Sequence, residues 1–399
     1  MEQQVIELMS RLINLQAVNP RSKQGSEGEL KRAQFLQGEL LKMIPQISIT
    51  NYDAIDSELN LIRPNFTATL TGKDPTRSLF IICHLDTVPE GDLSLWNTDP
   101  FSAQLLNGRV YGRGAEDNLQ AMVSTIFAMK QIYDEGVKPE INISLVCVSD
   151  EETGSAFGIQ YLVKQGLFNP QDLIIVPDYG TPEGNFVEVA EKGILWFKVE
   201  VLGKQAHASR PQEGINAHLK GMEFNIKLYQ ALKESFSLAN HLFEPATSTF
   251  EPTRKDNNVD NINTIPGRDV TYFDCRVLPE YSLNEVLSFI NSFSSNFTRE
   301  NGVEINISTV QKEEAPPPTD PESPVARKMI SSIAKSLNPE GLKVGGIGGG
   351  TCAALLRKAG IPAAVWAITN HTAHQSNENS QVSNLLNEIK VFYTLMRDL

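Results

Sequence analysis

Histidine nitrogens and carboxylate oxygens recur at five places in this chain, each placed at the end of an apolar run or in a glycine-rich turn. His84-Leu85-Asp86 closes the run Leu79-Phe80-Ile81-Ile82-Cys83, and Asp150-Glu151-Glu152-Thr153-Gly154 closes the run that begins at Ile141. Asp117 lies in the turn Gly112-Arg113-Gly114-Ala115-Glu116-Asp117-Asn118, Asp178 follows Ile174-Ile175-Val176-Pro177, and His374 lies in Asn370-His371-Thr372-Ala373-His374. Imidazole nitrogen and carboxylate oxygen are the donors that divalent zinc takes, and a catalytic zinc site leaves one position open for water. A bridging carboxylate holds two such ions about 3.5–4 Å apart. Singly, each residue has a plainer reading: a strand-end histidine in a structural hydrogen bond, an aspartate that caps a helix, a turn aspartate, a solvated acid pair at Glu151 and Glu152. Together they fall at the carboxyl ends of strands, where an open α/β sheet gathers its ligands into one crevice. A hydrolytic metalloenzyme is the reading that uses them all.

The elements that must position these residues alternate. Helical periodicity runs from Val5 to Leu15 and from Ser26 to Met43, with further helices over Leu119–Tyr133 and Ala156–Lys164. Apolar strand runs cover Asn65–Leu70, Leu79–His84, Ile141–Val148 and Leu173–Pro177. Buried strands alternating with helices predict an α/β domain with a mostly parallel central sheet. Near Gly193 the pattern changes. A strand at Ile194–Leu202, a helix over Ile215–Leu238, two strand-like stretches around Thr247–Ile265 and Val270–Leu278, a helix opened by the capping box Ser282-Leu283-Asn284-Glu285, and a strand at Val303–Val310 follow one another. That order, βαββαβ, is the ferredoxin-like unit. The stiff run Ala315-Pro316-Pro317-Pro318 ends it, and the α/β pattern resumes with a helix at Val325–Leu337, a strand at Leu342–Val344, a helix at Cys352–Ala359 and a strand at Ala363–Ile368. The expected organisation is a discontinuous α/β domain, residues 1–192 and 313–399, carrying an inserted domain at 193–312.

Composition narrows the classes. The 399 residues are 41% hydrophobic and 21% charged with a net charge of −13, ordinary values for a globular chain. The acidic balance argues against a general nucleic-acid surface. Four cysteines without paired spacing argue against a disulfide scaffold and fit a reducing compartment. The charged, amphipathic start lacks the basic end and apolar centre of a signal peptide, and no run approaches the roughly 18 apolar residues of a membrane span. A cytoplasmic protein with no membrane partner is expected.

The motifs, taken in order, resemble those of the dinuclear zinc amidohydrolases that include acetylornithine deacetylase, succinyl-diaminopimelate desuccinylase, aminoacylase and glutamate carboxypeptidase. The markers are His84-x-Asp86, Gly112-Arg113-Gly114-Ala115-x-Asp117, Asp150-Glu151-Glu152-x-Gly154, Ala206-His207-Ala208-Ser209-x-Pro211, Asn263-Thr264-Ile265-Pro266, Asp274-x-Arg276, Gly349-Gly350-Thr351 and His374-x-x-Asn377-Glu378. The resemblance covers nearly the whole chain. It implies two divalent ions, Zn2+ first, with Co2+ or Mn2+ open to the same mixed donors. Asp117 would bridge them, His84 and Asp178 would complete one shell, and Glu152 and His374 the other. Asp86 would accept a hydrogen bond from the far nitrogen of His84. Glu151 would be the general base for an activated water, and the Asp117-Asn118 peptide would be cis. The discontinuous domain, 1–192 and 313–399, would be catalytic and the insert at 193–312 a lid and dimerisation domain, and His207 would donate to the substrate carbonyl oxygen from the partner subunit of the homodimer so formed. Asn263, Arg276, Gly350 and Thr351 would bind the substrate, although Arg276 beside Asp274 equally suits a structural ion pair and the glycine run a plain loop-to-helix turn.

The activity so implied is cleavage of the amide bond of an N-acetyl or N-succinyl amino acid or diamine. A metallo-dipeptidase or carboxypeptidase with the same site is the alternative, and a non-catalytic metal- or ligand-binding protein stands behind it. The chain departs from the common pattern where relatives carry Lys-Gly after the bridging aspartate and this chain has Leu119-Gln120, and at Cys352. Those departures bear on the substrate rather than on the metal donors.

Overall fold

The computed structural model describes every residue from Met1 to Leu399. It separates into two compact units. The first is Met1–Val189 with Thr319–Gly345 and Thr351–Leu399; the second is Ala190–Pro318 with Gly346–Gly350. The second unit thus keeps the proline-rich run and takes in part of the glycine run, which the sequence placed in the last segment of the catalytic domain. Composition marks a stiff or flexible stretch, but not which core it packs beside.

An eight-stranded mixed sheet organises the first unit, in the order Ser48–Asn51, Phe66–Leu70, Ile141–Val148, Asp74–His84, Leu173–Thr181, Ala364–Ile368, Phe186–Glu191, Lys343–Ile347. The centre is parallel: Asp74–His84 pairs in parallel with both Ile141–Val148 and Leu173–Thr181, and Leu173–Thr181 with Ala364–Ile368. Antiparallel pairs flank it, Phe66–Leu70 with Ile141–Val148 on one side and Phe186–Glu191 with Ala364–Ile368 on the other. The central strands are buried on both faces, which is why they read as unbroken apolar runs. Phe80, Ile82, Val146, Val148, Ile174, Val176 and Val365 point one way, onto the short helices Ile159–Lys164 and Ala353–Lys358. The helices Gln120–Asp134 and Val382–Arg397 pack against each other. Neither the Phe186–Glu191 strand nor the Val382–Arg397 helix was anticipated from the sequence. No helix is long and apolar enough to cross a membrane.

The second unit contains a four-stranded antiparallel sheet, Thr249–Lys255, Arg268–Val277, Gly193–Leu202, Glu304–Glu313 in spatial order, and the helices Ala217–Ser235 and Leu283–Asn301. Chain order and strand order together are those of the ferredoxin-like βαββαβ unit. Leu195, Phe197, Val199 and Val201 alternate into a core shared with Phe224, Leu228, Val286 and Ile290 of the two helices. Phe197 stacks on Phe273 with ring centroids 4.8 Å apart. Ser282 caps the second helix, its hydroxyl accepting from Glu285 N at 3.1 Å. The two stretches expected around Thr247–Ile265 and Val270–Leu278 both supply strands to this sheet, but the first is interrupted: Thr249–Lys255 joins it, and Thr264–Ile265 pairs instead with Ala206–His207.

Candidate metal centre

Three parallel strands bring the donors of the first unit together. His84 is the last residue of its strand and buried. Asp178 lies inside its strand rather than beyond it, next to an irregularity in the pairing with Ala364–Ile368. At that irregularity Gly180 packs directly on the Ala367 backbone, so closely that a Cβ would sit 1.7 Å from the Ala367 oxygen. Asn118 ties the two strand ends. Its side-chain oxygen accepts from His84 N at 3.3 Å, and its amide nitrogen donates to the Pro177 carbonyl at 2.9 Å and to Asp178 at 3.3 Å. The Asp117-Asn118 peptide is cis, as expected.

Asp117 occupies the middle. Its Oδ1 lies 2.7 Å from His84 Nε2, which is itself 3.5 Å from Asp178 Oδ1. Its Oδ2 lies 3.1 Å from His374 Nε2, which is also 3.1 Å from Glu152 Oε2. The two oxygens of one carboxylate therefore face two separate imidazole–carboxylate pairs. His84, Asp117 and Glu152 each offer a donor atom within 4.8 Å of the others. The ion-pair partners of Asp117, Glu152 and Asp178 are histidines, not lysines or arginines. Lone-pair donors facing one another at such distances need a proton or a cation between them, and this donor set suits a divalent ion.

The protonation equilibria express the same excess of negative charge. Burial works against a charged His84, but Asp117 outweighs it and holds the imidazole well above its usual range. Hydrogen bonds to the Asp117 and Glu152 carboxylates push His374 up to about 10. Burial opposes ionisation of Asp117, yet His84 and His374 hold it below the ordinary carboxylate range. Burial, then the neighbouring Asp178, drives Glu151 well up, and burial raises Glu152. No hydrogen bond or ion pair holds the Glu151 carboxylate, although its backbone is fixed.

What fixes it is Asp86. The Asp86 carboxylate accepts from Glu151 N at 3.1 Å, Glu152 N at 3.2 Å and Asn19 Nδ2 at 2.7 Å. The hydrogen bond expected from the far nitrogen of His84 goes to the Asp86 backbone carbonyl, at 3.0 Å, with the carboxylate 3.7 Å away. The reason is geometric: two residues beyond the ring, the carbonyl is the nearer acceptor and the side chain is engaged with the Glu151 turn. A carbonyl only accepts, so Nδ1 carries a proton, and Nε2, which faces Asp117, is the nitrogen whose lone pair is left for a cation once it gives up its own proton. Asp150, in the left-handed conformation at φ 64°, is held by Arg63 at 3.3 Å and by Phe157 N at 3.1 Å. Arg63 is itself buried against Glu29 at 2.6 Å. Asn19 and Arg63 escaped the sequence reading because a lone polar residue far along the chain carries no spacing signal.

Gly114, at φ 83°, lets the Gly112–Asp117 turn approach Thr87. Past that turn, Gln120 donates to the buried Glu388 at 2.7 Å and to the Ile368 carbonyl at 2.7 Å. Burial pushes Glu388 up to about 7, against the pull of the Ile368 and Gln120 hydrogen bonds. A carboxyl raised from 4.5 to about 7 binds its proton more tightly in the folded state. Its contribution to stability is full below pH 4.5 and is lost as pH rises through 7. Glu388→Gln keeps the oxygen that accepts both bonds and cannot ionise. Urea midpoints for the wild type should fall between pH 5 and 8 more steeply than for the variant, by on the order of 3 kcal/mol at most; parallel pH profiles would contradict it.

The remaining candidates lie in or beside the second unit. His207 is exposed, and its Nδ1 accepts from Ser209 N at 3.1 Å, which leaves the proton on Nε2 as a free donor. Asn263 is exposed and its side-chain oxygen accepts from Asn261. Arg276 directs Nε and Nη2 at Asp274, at 2.7 and 3.0 Å, and Nη1 at the Gly348 carbonyl at 2.7 Å. Three of its five N–H groups thus have protein partners, and it anchors the glycine run that holds Gly350. Thr351 accepts from Ala353 N at 3.2 Å, but the helix that follows has only 6 residues.

Residues 80–398 match Peptidase family M20/M25/M40. A protein called an uncharacterized metallohydrolase, from Methanocaldococcus jannaschii, is 42% identical over 99% of both chains. A succinyl-diaminopimelate desuccinylase of Sulfurovum sp. is 25% identical over 88% of this chain and 96% of its own length. Among solved structures, a tripeptidase from Staphylococcus aureus superposes with a TM-score of 0.74 at 15% identity, covering 100% of this chain and 98% of the other; at that identity the likeness speaks for the fold alone. The matched span takes in every donor around Asp117 and the whole second unit, so the chain is a hydrolase belonging to Peptidase family M20/M25/M40.

Proposed function

We propose that this chain hydrolyses the amide bond of an N-acetyl or N-succinyl amino acid or diamine at a two-cation centre. The carrying observation is the Asp117 carboxylate set between the His84–Asp178 and His374–Glu152 pairs, with Glu151 unpartnered beside it. Cations bound there, Zn2+ first and Co2+ or Mn2+ by the same donors, would polarise the scissile carbonyl and bring the pKa of water towards 7. Glu151 takes the proton from the attacking water and passes it to the leaving amine. Asp86 fixes the backbone of Glu151 and Glu152, and so the direction from which the base acts. The free Nε2–H of His207 suits the oxygen that gains charge during attack, and Asn263 is exposed to meet polar groups of the substrate.

A homodimer formed through the second unit belongs to the same reading. Leu219, Met222 and Ile226 of the Ala217–Ser235 helix are 55%, 42% and 60% exposed at helical spacing, with Ile215 just ahead of the helix 39% exposed, an apolar stripe that a second copy would cover. His207 then acts from the partner. All four cysteines are free and buried, which favours a cytoplasmic site of action.

The acyl preference draws on the desuccinylase relative, and the peptidase alternative on the family description. The test is a panel of N-acetyl and N-succinyl amino acids and diamines, dipeptides and longer peptides, run with Zn2+, Co2+ and Mn2+. The acylated compounds should give the highest kcat/KM. Faster turnover of the peptides would replace the deacylase by a peptidase. A pure binding protein has no use for an unpartnered Glu151, and metal uptake without hydrolysis of any member of the panel would favour that reading instead.

A further inference from the structure

We propose that Glu116 is a positioning residue that sets the spacing between Asp117 and His374, and through it the affinity of the cation position formed by His374 and Glu152. The proposal rests on the two-cation reading above. The glycine-rich motif leaves position 116 open, and an acid in such a turn would ordinarily be solvated. Here Glu116 is only 6% exposed. Its side chain turns onto the loop that carries His374. Its Oε1 accepts from Asn370 N; its Oε2 accepts from Thr372 N, from Ala373 N at 3.0 Å and from the Thr372 hydroxyl at 3.0 Å.

That loop needs an external support. It runs without helix or strand from the end of Ala364–Ile368 to the start of Asn379–Gln381, and His371, His374 and Asn377 all take positive φ. The His374 side chain is 55% exposed, against 2% for His84 and 5% for Glu152, so packing does little to hold it. Glu116 supplies the acceptors that a strand neighbour would otherwise provide. The clasp is reciprocal. Glu378, at the far end of the same loop, reaches back and accepts from Gly114 N, Glu116 N and Asp117 N, each at 3.0 Å, and from Arg113 at 2.7 Å. Two carboxylates thus cross in opposite directions between the Asp117 turn and the His374 loop.

The other half of the site is built differently. His84 and Asp178 sit on adjacent parallel strands joined through Asn118, so the sheet sets their spacing and Glu116 has no part in it. Loss of the clasp should therefore act on one cation position and spare the other.

The test uses the full chain, stripped of metal and titrated with Zn2+ by calorimetry, with hydrogen exchange read at residues 369–378. Glu116→Gln removes the charge and turns an amide N–H2 towards backbone donors. The wild type should bind two ions. The variant should bind one as the wild type does and the other about 10–100-fold more weakly, the usual cost of losing an outer hydrogen-bond partner, with faster exchange in 369–378 and none in 79–84. Thr372→Val leaves the three backbone donors to Glu116 in place and deletes the hydroxyl, which also lies 3.0 Å from the Asn379 carbonyl and accepts from Asn379 N at 3.2 Å; it should move the same position in the same direction by less, and it carries the test if the first variant does not fold. Two unchanged affinities, or two that fall equally, would overturn the proposal and leave the two-cation reading standing. A wild type that binds fewer than two ions would remove both.

Discussion

Glu151→Gln should keep the wild-type complement of two cations and lose about 10²–10⁴-fold in kcat, the range supplied by a positioned general base. The substitution preserves shape. The backbone N–H of residue 151 still meets Asp86, so the turn that also carries Glu152 stays where it is. What disappears is the ability to take and return a proton. Glu151 is suited to that task because its carboxylate has no protein partner, while burial and then Asp178 make it hold a proton more readily than an ordinary glutamate. Steady-state kinetics on the preferred substrate, beside metal content by elemental analysis, separates the two effects. A fall in kcat and kcat/KM together, with metal retained, is the expected pattern. Activity within about threefold of wild type would strip Glu151 of its role.

Asp117→Asn should be at least as damaging, for another reason. Both oxygens of Asp117 are engaged, one towards His84 and one towards His374. An asparagine offers one acceptor and turns its amide hydrogens at the other imidazole nitrogen, so at least one cation position loses an anionic donor. Hydrolysis should drop by more than about 10³-fold, roughly 4 kcal/mol of transition-state stabilisation. The backbone contact from residue 117 to Glu378 survives the change. The gap in melting temperature between wild type and variant should widen when Zn2+ replaces chelator, because an ion stabilises only the state that binds it. A gap of the same size with and without Zn2+ would mean that Asp117 matters to the fold rather than to the metal.

Much of this centre is legible in the chain because strands and ligands signal together. Ile141–Val148 is a strand with the bounds the sequence suggests, since an unbroken apolar run buried on both faces has few other uses. His84 ends its strand and Asp117 begins the kink ahead of a helix, as their local patterns require. Asp178 was harder. Proline and aspartate together read as the end of a strand, yet the pairing continues to Thr181 through an irregularity that depends on the neighbouring strand and Gly180. Phe186–Glu191 and Val382–Arg397 carry apolar content, but their local pattern does not stand out from that of their neighbours.

The sequence by itself determined which residues offer imidazole and carboxylate atoms, that His84 ends a strand, and that a βαββαβ unit is inserted in the chain, because side-chain chemistry and period-two or period-3.6 patterning are local properties. Tertiary structure alone decided that Asp117 faces two histidines with its two oxygens, that Asp86 grips the Glu151 turn while its carbonyl accepts a hydrogen bond from His84, and that Glu116 and Glu378 cross between loops more than 250 residues apart in the chain. The reason is that hydrogen-bond partners distant in sequence are chosen by the packing of the whole sheet, and no spacing rule along one chain encodes which backbone amide a buried carboxylate will meet.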